Sequence, residues 1–374
     1  MKFAKPGPRL MRSIGLKILA AGISLTSAAE PGAYRQQAVE VTEYIQKNFW
    51  NKKSDLYNSA IDKKEPEMIW GGGVMFSTLV AAARNDPHYK PVMRKFFEAL
   101  DGYWDAKVDI PGYEPAPTGG GGNDKYYDDN AWMVITFLEA YELTDESRYL
   151  KRANETLDFV MSGWDEEAGG GIWWHEQHKG GGKNTCVNAP TAVGCFRISK
   201  FSDPKVAAKR IADGGKIVKW TTEKLRGQNG LFGDAINVKT GKVNGGQLTY
   251  NSALMLRSYL CLYALTGEDL YLDEAKAMGV AATSFLGSNG AYRDSLKWSH
   301  LMVEADLELY RWTKEDYLLK RAQTDCDVHY AAWKKSPPPD LITNASLARQ
   351  LWLLAEHETP AGIEMWKKSD RLRK

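Results

Sequence analysis

A chain of 374 residues, 43% hydrophobic and 11% aromatic, carries enough apolar material for one large packed core. Its 49 basic and 47 acidic side chains leave a formal net charge of +2, which gives no basic footprint for a nucleic-acid partner. The four cysteines, Cys186, Cys195, Cys261 and Cys326, form no C-x-x-C pair, so zinc-ribbon and thioredoxin-like chemistry find no support.

At the N-terminus, Lys2, Lys5, Arg9 and Arg12 precede an apolar stretch from Ile14 to Leu25, followed by the small residues Ser27, Ala28 and Ala29. That order reads as a signal peptide over residues 1–29, with 30–374 as a single domain. Lys17 interrupts the run, and an amphipathic first helix is the alternative. The expected destination is secreted, periplasmic or cell-surface. No other segment has the eighteen or so apolar residues of a membrane span. Export would permit a Cys186–Cys195 disulfide, whereas Cys261 lies in an apolar run and reads as a buried thiol.

An internal repeat organises the rest. Leu143-Thr-Asp-Glu-Ser-Arg-Tyr-Leu-Lys-Arg-Ala153 and Leu265-Thr-Gly-Glu-Asp-Leu-Tyr-Leu-Asp-Glu-Ala275 share the pattern L-T-x-E-x-x-Y-L-x-x-A without a gap, and Trp312 to Ala322 keeps most of it. Each copy follows an apolar segment and opens an amphipathic one, so it reads as a turn between two helices with Thr and Glu placed as a capping box. Degenerate copies near residues 83, 200 and 356 join those at 143, 265 and 312, which predicts about six helical hairpins.

The first helix of several hairpins, such as Asn130–Leu138 and Ser252–Tyr263, is apolar nearly all round and must be buried on all sides. The second helices, such as Tyr149–Ser162 and Tyr271–Phe285, carry one apolar stripe and a charged face. An inner ring wrapped by an outer ring satisfies both patterns. The predicted fold is therefore all-α, an (α/α)6 toroid. Gly-rich, aromatic-rich connections at 70–73, 119–122, 167–174 and 230–234 lead into the inner helices and should gather at one end of the ring.

One such connection ends in Lys125-Tyr-Tyr-Asp-Asp-Asn-Ala-Trp132. Capping explains one acid before a helix, but not two that repel each other. The repeat offset is 265 − 143 = 122, and it carries Asp128 and Asp129 onto the neutral Tyr250 and Asn251. The scaffold can therefore be capped without a double charge, which favours function for the pair. Glycoside hydrolysis uses two carboxyl groups, and neighbouring Cα atoms about 3.8 Å apart suit the close spacing of a retaining enzyme. Repulsion and burial would keep one acid protonated.

Tyr127-Asp-Asp-Asn-Ala-Trp132 and its continuation to Thr144 resemble glycoside hydrolase family 76, the endo-α-1,6-mannanase family. The likeness continues through Ser162-Gly-Trp-Asp165, Gly169 to Glu176, Lys183 to Pro190 and Tyr250 to Leu254, and covers essentially everything after residue 35. The resemblance implies an (α/α)6 fold, no cofactor or metal, retention of configuration and α-1,6-mannan as substrate. It implies Asp128 as nucleophile and Asp129 as acid/base. The N-terminal helix matches poorly, and the loop at Gly180-Gly-Gly182 departs at the cleft rim.

Trp173, Trp174 and Tyr250 are candidate platforms for sugar rings, and Asn188 and Asn251 candidate partners for sugar hydroxyls, against core packing and helix capping respectively. Asp124 stands near the pair, either to tune it or as a solvated loop acid. His175-Glu-Gln-His178 lacks the H-E-x-x-H spacing, so no metal is expected. The expected partner is an α-mannan glycan, met by a monomer. The rivals are a transglycosylase on the same machinery, a noncatalytic glycan-binding protein, and a sugar epimerase, for which only His300 stands near an inner-helix start.

Overall fold

Each full copy of the repeat ends one helix and starts the next by the same bonds. Asp145, Gly267 and Lys314 adopt the left-handed conformation (φ 59°, 70° and 58°), and their N–H groups donate to the carbonyls of Tyr141, Tyr263 and Tyr310, all at 2.8 Å. The threonine hydroxyls of Thr144, Thr266 and Thr313 donate back to the carbonyl four residues earlier and accept the N–H of Glu146, Glu268 and Glu315. None of the three glutamates caps the following helix with its side chain. The predicted capping box is thus a left-handed stop with a threonine bracket.

The computed structural model describes residues 32–179 and 181–358. The signal-peptide expectation over 1–29 lies outside the described residues. The helices are α1 (Ala33–Asn48), α2 (Ile69–Asn85), α3 (Lys90–Ala99), α4 (Tyr127–Thr144), α5 (Ser147–Ser162), α6 (Thr185–Ser199), α7 (Pro204–Leu225), α8 (Thr249–Thr266), α9 (Asp269–Ala281), α10 (Leu296–Thr313), α11 (Asp316–Lys335) and α12 (Leu341–Glu358).

The even-numbered helices form the inner ring, each packing on the next, with α12 returning to α2. Each odd-numbered helix from α3 to α11 backs its inner partner. The sixth pair departs from expectation. Within the described residues no hairpin follows the turn near 356; α1 covers α12 instead and closes the ring. Inner helices need close approach, and Gly194 of α6 supplies it, since a Cβ there would lie 2.8 Å from Val134 of α4.

A chain of buried ion pairs ties the ring across its axis. Arg349 of α12 bonds Glu139 of α4 at 2.9 Å and Glu304 of α10 at 2.8 Å, and Arg257 of α8 bonds Glu304 at 3.1 Å. The Cys186–Cys195 bridge that export would permit is absent. Both residues lie on α6, nine apart, and the rise of about 1.5 Å per residue separates them far beyond disulfide reach. Cys261 is half-buried rather than fully enclosed.

The connections form short antiparallel ribbons, Trp104–Asp105 with Gly112–Tyr113 and Lys183–Asn184 with Ala235–Ile236 and Val243–Asn244. The fourth residue of an inner helix clamps the preceding ribbon or turn. Asn130 accepts from Tyr113 N–H at 2.8 Å, Asn188 from Ile172 N–H at 2.9 Å and Ser252 from Phe232 N–H at 3.0 Å. These bonds hold the connections at one end of the ring. No described helix is long and apolar enough to cross a membrane.

Candidate active site

The starts of the inner helices converge on one mouth. The second residue of α2, α4, α8 and α10 is Trp70, Asp128, Tyr250 and Lys297, and all four line a cleft of about 310 Å³. Asp129 and Trp298 enter from the third positions, Trp132 and Leu301 from the sixth. Tyr126 and Trp174 complete the wall from the connections. Tyr250 and Trp298 lie nearly parallel, 6.3 Å apart at 24°. Flat aromatic faces around two carboxyl groups suit pyranose rings.

The two acids stand in the first turn of α4, where the helix dipole favours negative charge. Their surroundings are unequal. Asp128 Oδ2 accepts from Trp174 Nε1 at 2.9 Å and from the Cys186 thiol at 3.5 Å, while Oδ1 accepts from the backbone N–H of Asp129 at 2.9 Å. Cys186 is the second residue of α6, with Tyr250 beside its sulfur. Burial and the charge of Asp128 hold the thiol well above its usual range, so it stays S–H and donates.

Burial pushes the Asp128 carboxyl up to about 6, against the restraint of these donors. Asp129 has no such donors. Burial first, and then the negative charge of Asp128, push it well above the ordinary carboxylate range. Asp128 therefore ionises first and Asp129 keeps its proton near neutrality. One acid is a charged nucleophile and its neighbour a proton donor.

The connection carrying the pair is firmly held. Glu114 accepts from the N–H of Asn123 at 2.8 Å and of Gly121 at 3.2 Å and from the Thr118 hydroxyl, which folds residues 118–123 around one carboxylate. Gly119, Gly120 and Gly122 make that turn at positive φ. The buried Lys125 ammonium pairs with Glu176 at 2.8 Å and Asp105 at 3.7 Å.

Of the residues singled out from sequence, Asp128, Asp129, Trp174 and Tyr250 meet in the cleft. Three do not. Trp173 is buried, its Nε1 donating to Asp165 at 2.6 Å, with the buried Lys183 ammonium 5.1 Å from its ring centre. Asn188 is a fully buried ribbon clamp, and Asn251 is fully buried beside Asp234. His300 is buried beneath the cleft floor, its Nδ1 against the Leu296 carbonyl at 3.0 Å, and burial lowers it to about 4. It remains neutral and away from the sugar-facing wall. Asp124 is neither solvated nor in contact with the pair; it binds His175 and His178.

Sequence reasoning missed Trp70, Tyr126, Trp132, Cys186, Lys297 and Trp298. Their signal was positional, since four of them share the second or third place of an inner helix.

The glycosyl hydrolase family 76 model matches residues 34–324 of this chain. The chain belongs to that family. Its fold agrees with that of a family 76 α-mannanase from Bacteroides thetaiotaomicron at a TM-score of 0.80, with 24% identity over 87% of this chain and 98% of the other. An inactive variant of an α-1,6-mannanase from a Salegentibacter species, in complex with α-1,6-mannotriose, superposes at 0.74 with 19% identity over 86% and 99% of the two chains. A curated relative, the meiotically up-regulated gene 191 protein of Schizosaccharomyces pombe, is 27% identical across 62% of this chain. The match spans 56% of that relative's length.

Proposed function

We propose that this protein is a retaining endo-α-1,6-mannanase acting by double displacement. Asp128 attacks the anomeric carbon while Asp129 gives its proton to the departing glycosidic oxygen. Asp129, now a base, takes a proton from water, which releases the sugar from Asp128 and restores both groups. The observation that carries this reading is the unequal partnering of two adjacent acids, with three donors on Asp128 and the raised, unsupported carboxyl on Asp129. The choice of α-1,6-mannan is supported by the mannotriose-bound Salegentibacter enzyme, whose inactive form replaces two consecutive aspartates with asparagine.

The test is incubation with linear α-1,6-mannan beside Asp128→Asn and Asp129→Asn variants, following reducing ends and the anomer first released. Retention of configuration and about a 10³-fold loss in each variant are expected. Inversion, or full activity in either variant, would remove the assignment. Adding an acceptor mannoside to the same reaction reads out transfer in place of hydrolysis.

A further inference from the structure

Asp124, His175 and His178 stand together behind the wall that carries Trp174, and the mechanism uses none of them. Nδ1 of His175 lies 2.8 Å and Nδ1 of His178 2.5 Å from the same oxygen, Asp124 Oδ2. The three potential ligand atoms all fall within 4.8 Å of one another. We propose that this cluster is a binding site for a divalent transition-metal ion, with Zn²⁺ the cation best matched to its donors. Two imidazole nitrogens and a carboxylate oxygen form a borderline set that suits Zn²⁺ over Mg²⁺ or Ca²⁺, with water completing four-coordination.

The backbone holds the ligands ready. Tyr127 N–H donates to the Trp174 carbonyl at 2.9 Å and Glu176 N–H to the Lys125 carbonyl at 2.9 Å, on either side of His175. The ion pair between the buried Lys125 ammonium and the half-buried Glu176 fastens the same two segments. The second oxygen of Asp124 accepts Gln177 N–H at 2.7 Å, which orients the carboxylate as supporting bonds do around bound metals. Side chains of Asp124 and His175 are 16% and 14% exposed, so two ligands are sheltered; His178, at 72%, is the entry side.

Without a cation, both rings must carry their proton on Nδ1 and share one acceptor oxygen. A metal ion takes the place of those two hydrogen bonds, each ring moving its proton to Nε2 and offering the Nδ1 lone pair. Tetrahedral Zn²⁺ with bonds of about 2.0–2.1 Å sets its ligands roughly 3.3 Å apart. The contacts at 2.8 and 2.5 Å open by about 0.5 and 0.8 Å and the third edge closes, changes that small rotations of the two imidazole rings supply.

Occupancy reaches the cleft wall. The His175 ring packs on Tyr126 at 5.4 Å and on Trp174 at 5.3 Å. An ion there stiffens the segment that presents the indole to Asp128.

The test uses untagged full-length protein, stripped with chelator and titrated with Zn²⁺ by calorimetry and with Co²⁺ by its visible ligand-field bands. One ion per chain, a micromolar or tighter constant, tetrahedral-type Co²⁺ bands and a Zn²⁺-induced rise in melting temperature are expected. His178→Ala, at an exposed position, and Asp124→Asn, isosteric, should each weaken binding by about 10–100-fold with unchanged circular dichroism. The absence of stoichiometric binding, or binding indifferent to both substitutions, overturns the site. No substrate enters the measurement, so its failure leaves the mannanase reading intact, and the reverse holds too.

Discussion

The indole nitrogen of Trp174 donates to Asp128 Oδ2 at 2.9 Å, so one residue is both a wall of the cleft and a support for the negative charge of the nucleophile. Removing that donor raises the Asp128 carboxyl further. Trp174→Phe keeps an aromatic face and should shift the acidic limb of kcat/KM upward by about one pH unit. A pH–rate profile showing an unmoved limb would mean that the bond carries no weight.

The unsubstituted enzyme should rise in kcat/KM through about pH 6 as Asp128 ionises. It should fall only well above the usual carboxylate range, where Asp129 loses its proton. The two limbs belong to a coupled pair in the free enzyme. With an activated aryl mannoside, whose leaving group needs no proton, Asp129→Ala should keep most of the first step, and added azide should restore turnover.

Cys186 acts through Asp128 rather than on the sugar. Cys186→Ser retains an O–H donor and should leave the acidic limb within a few tenths of a unit. Cys186→Ala removes the donor and should move that limb upward by roughly half a unit. Identical profiles for the two variants would show that the thiol only fills space.

The pair also costs stability. Both carboxyls are raised in the folded protein, so between their unfolded and folded values the folded state binds more protons. Stability therefore falls as pH rises from about 4 through neutrality. Asp129→Asn removes the Asp129 share of that penalty. It should melt about 2–4 °C above the unsubstituted protein at pH 8. Melting curves should converge toward pH 4.

Arg349 bridges Glu139 and Glu304 inside the ring. Arg349→Ala leaves Glu304 to Arg257 alone and Glu139 to the longer contact with Arg197, and should destabilise the protein by about 3 kcal/mol in denaturant titration. Arg349→Met with Glu139→Gln and Glu304→Gln should recover much of that loss.

The ring was legible because its rules are local. Apolar all-round helices, a turn repeated at an offset of 122 residues, and an acid pair present at one of two equivalent starts could all be read from the chain. The final pair was not, since α1 meets α12 across nearly the whole chain and shares no repeat with it. Asn188 was not legible because nothing in the chain separates a fourth residue, which faces back to Ile172, from the second residues Asp128 and Tyr250 of the neighbouring inner helices, which line the cleft. Lys297 and Trp298 enter the cleft from α10, and only closure of the ring brings them opposite Asp128.

The Arg349–Glu139 bond has a consequence for synthesis. Both acids emerge early, on α4, with the buried Glu139 below them; Arg197 of α6 approaches Glu139 only to 3.8 Å, and the shorter bond comes from Arg349 on the final described helix. A nascent polypeptide halted before residue 341 holds the reacting groups above an interior charge that is only partly matched. Such a product should remain loosely packed and inert until α12 leaves the ribosome and docks between α2 and α10.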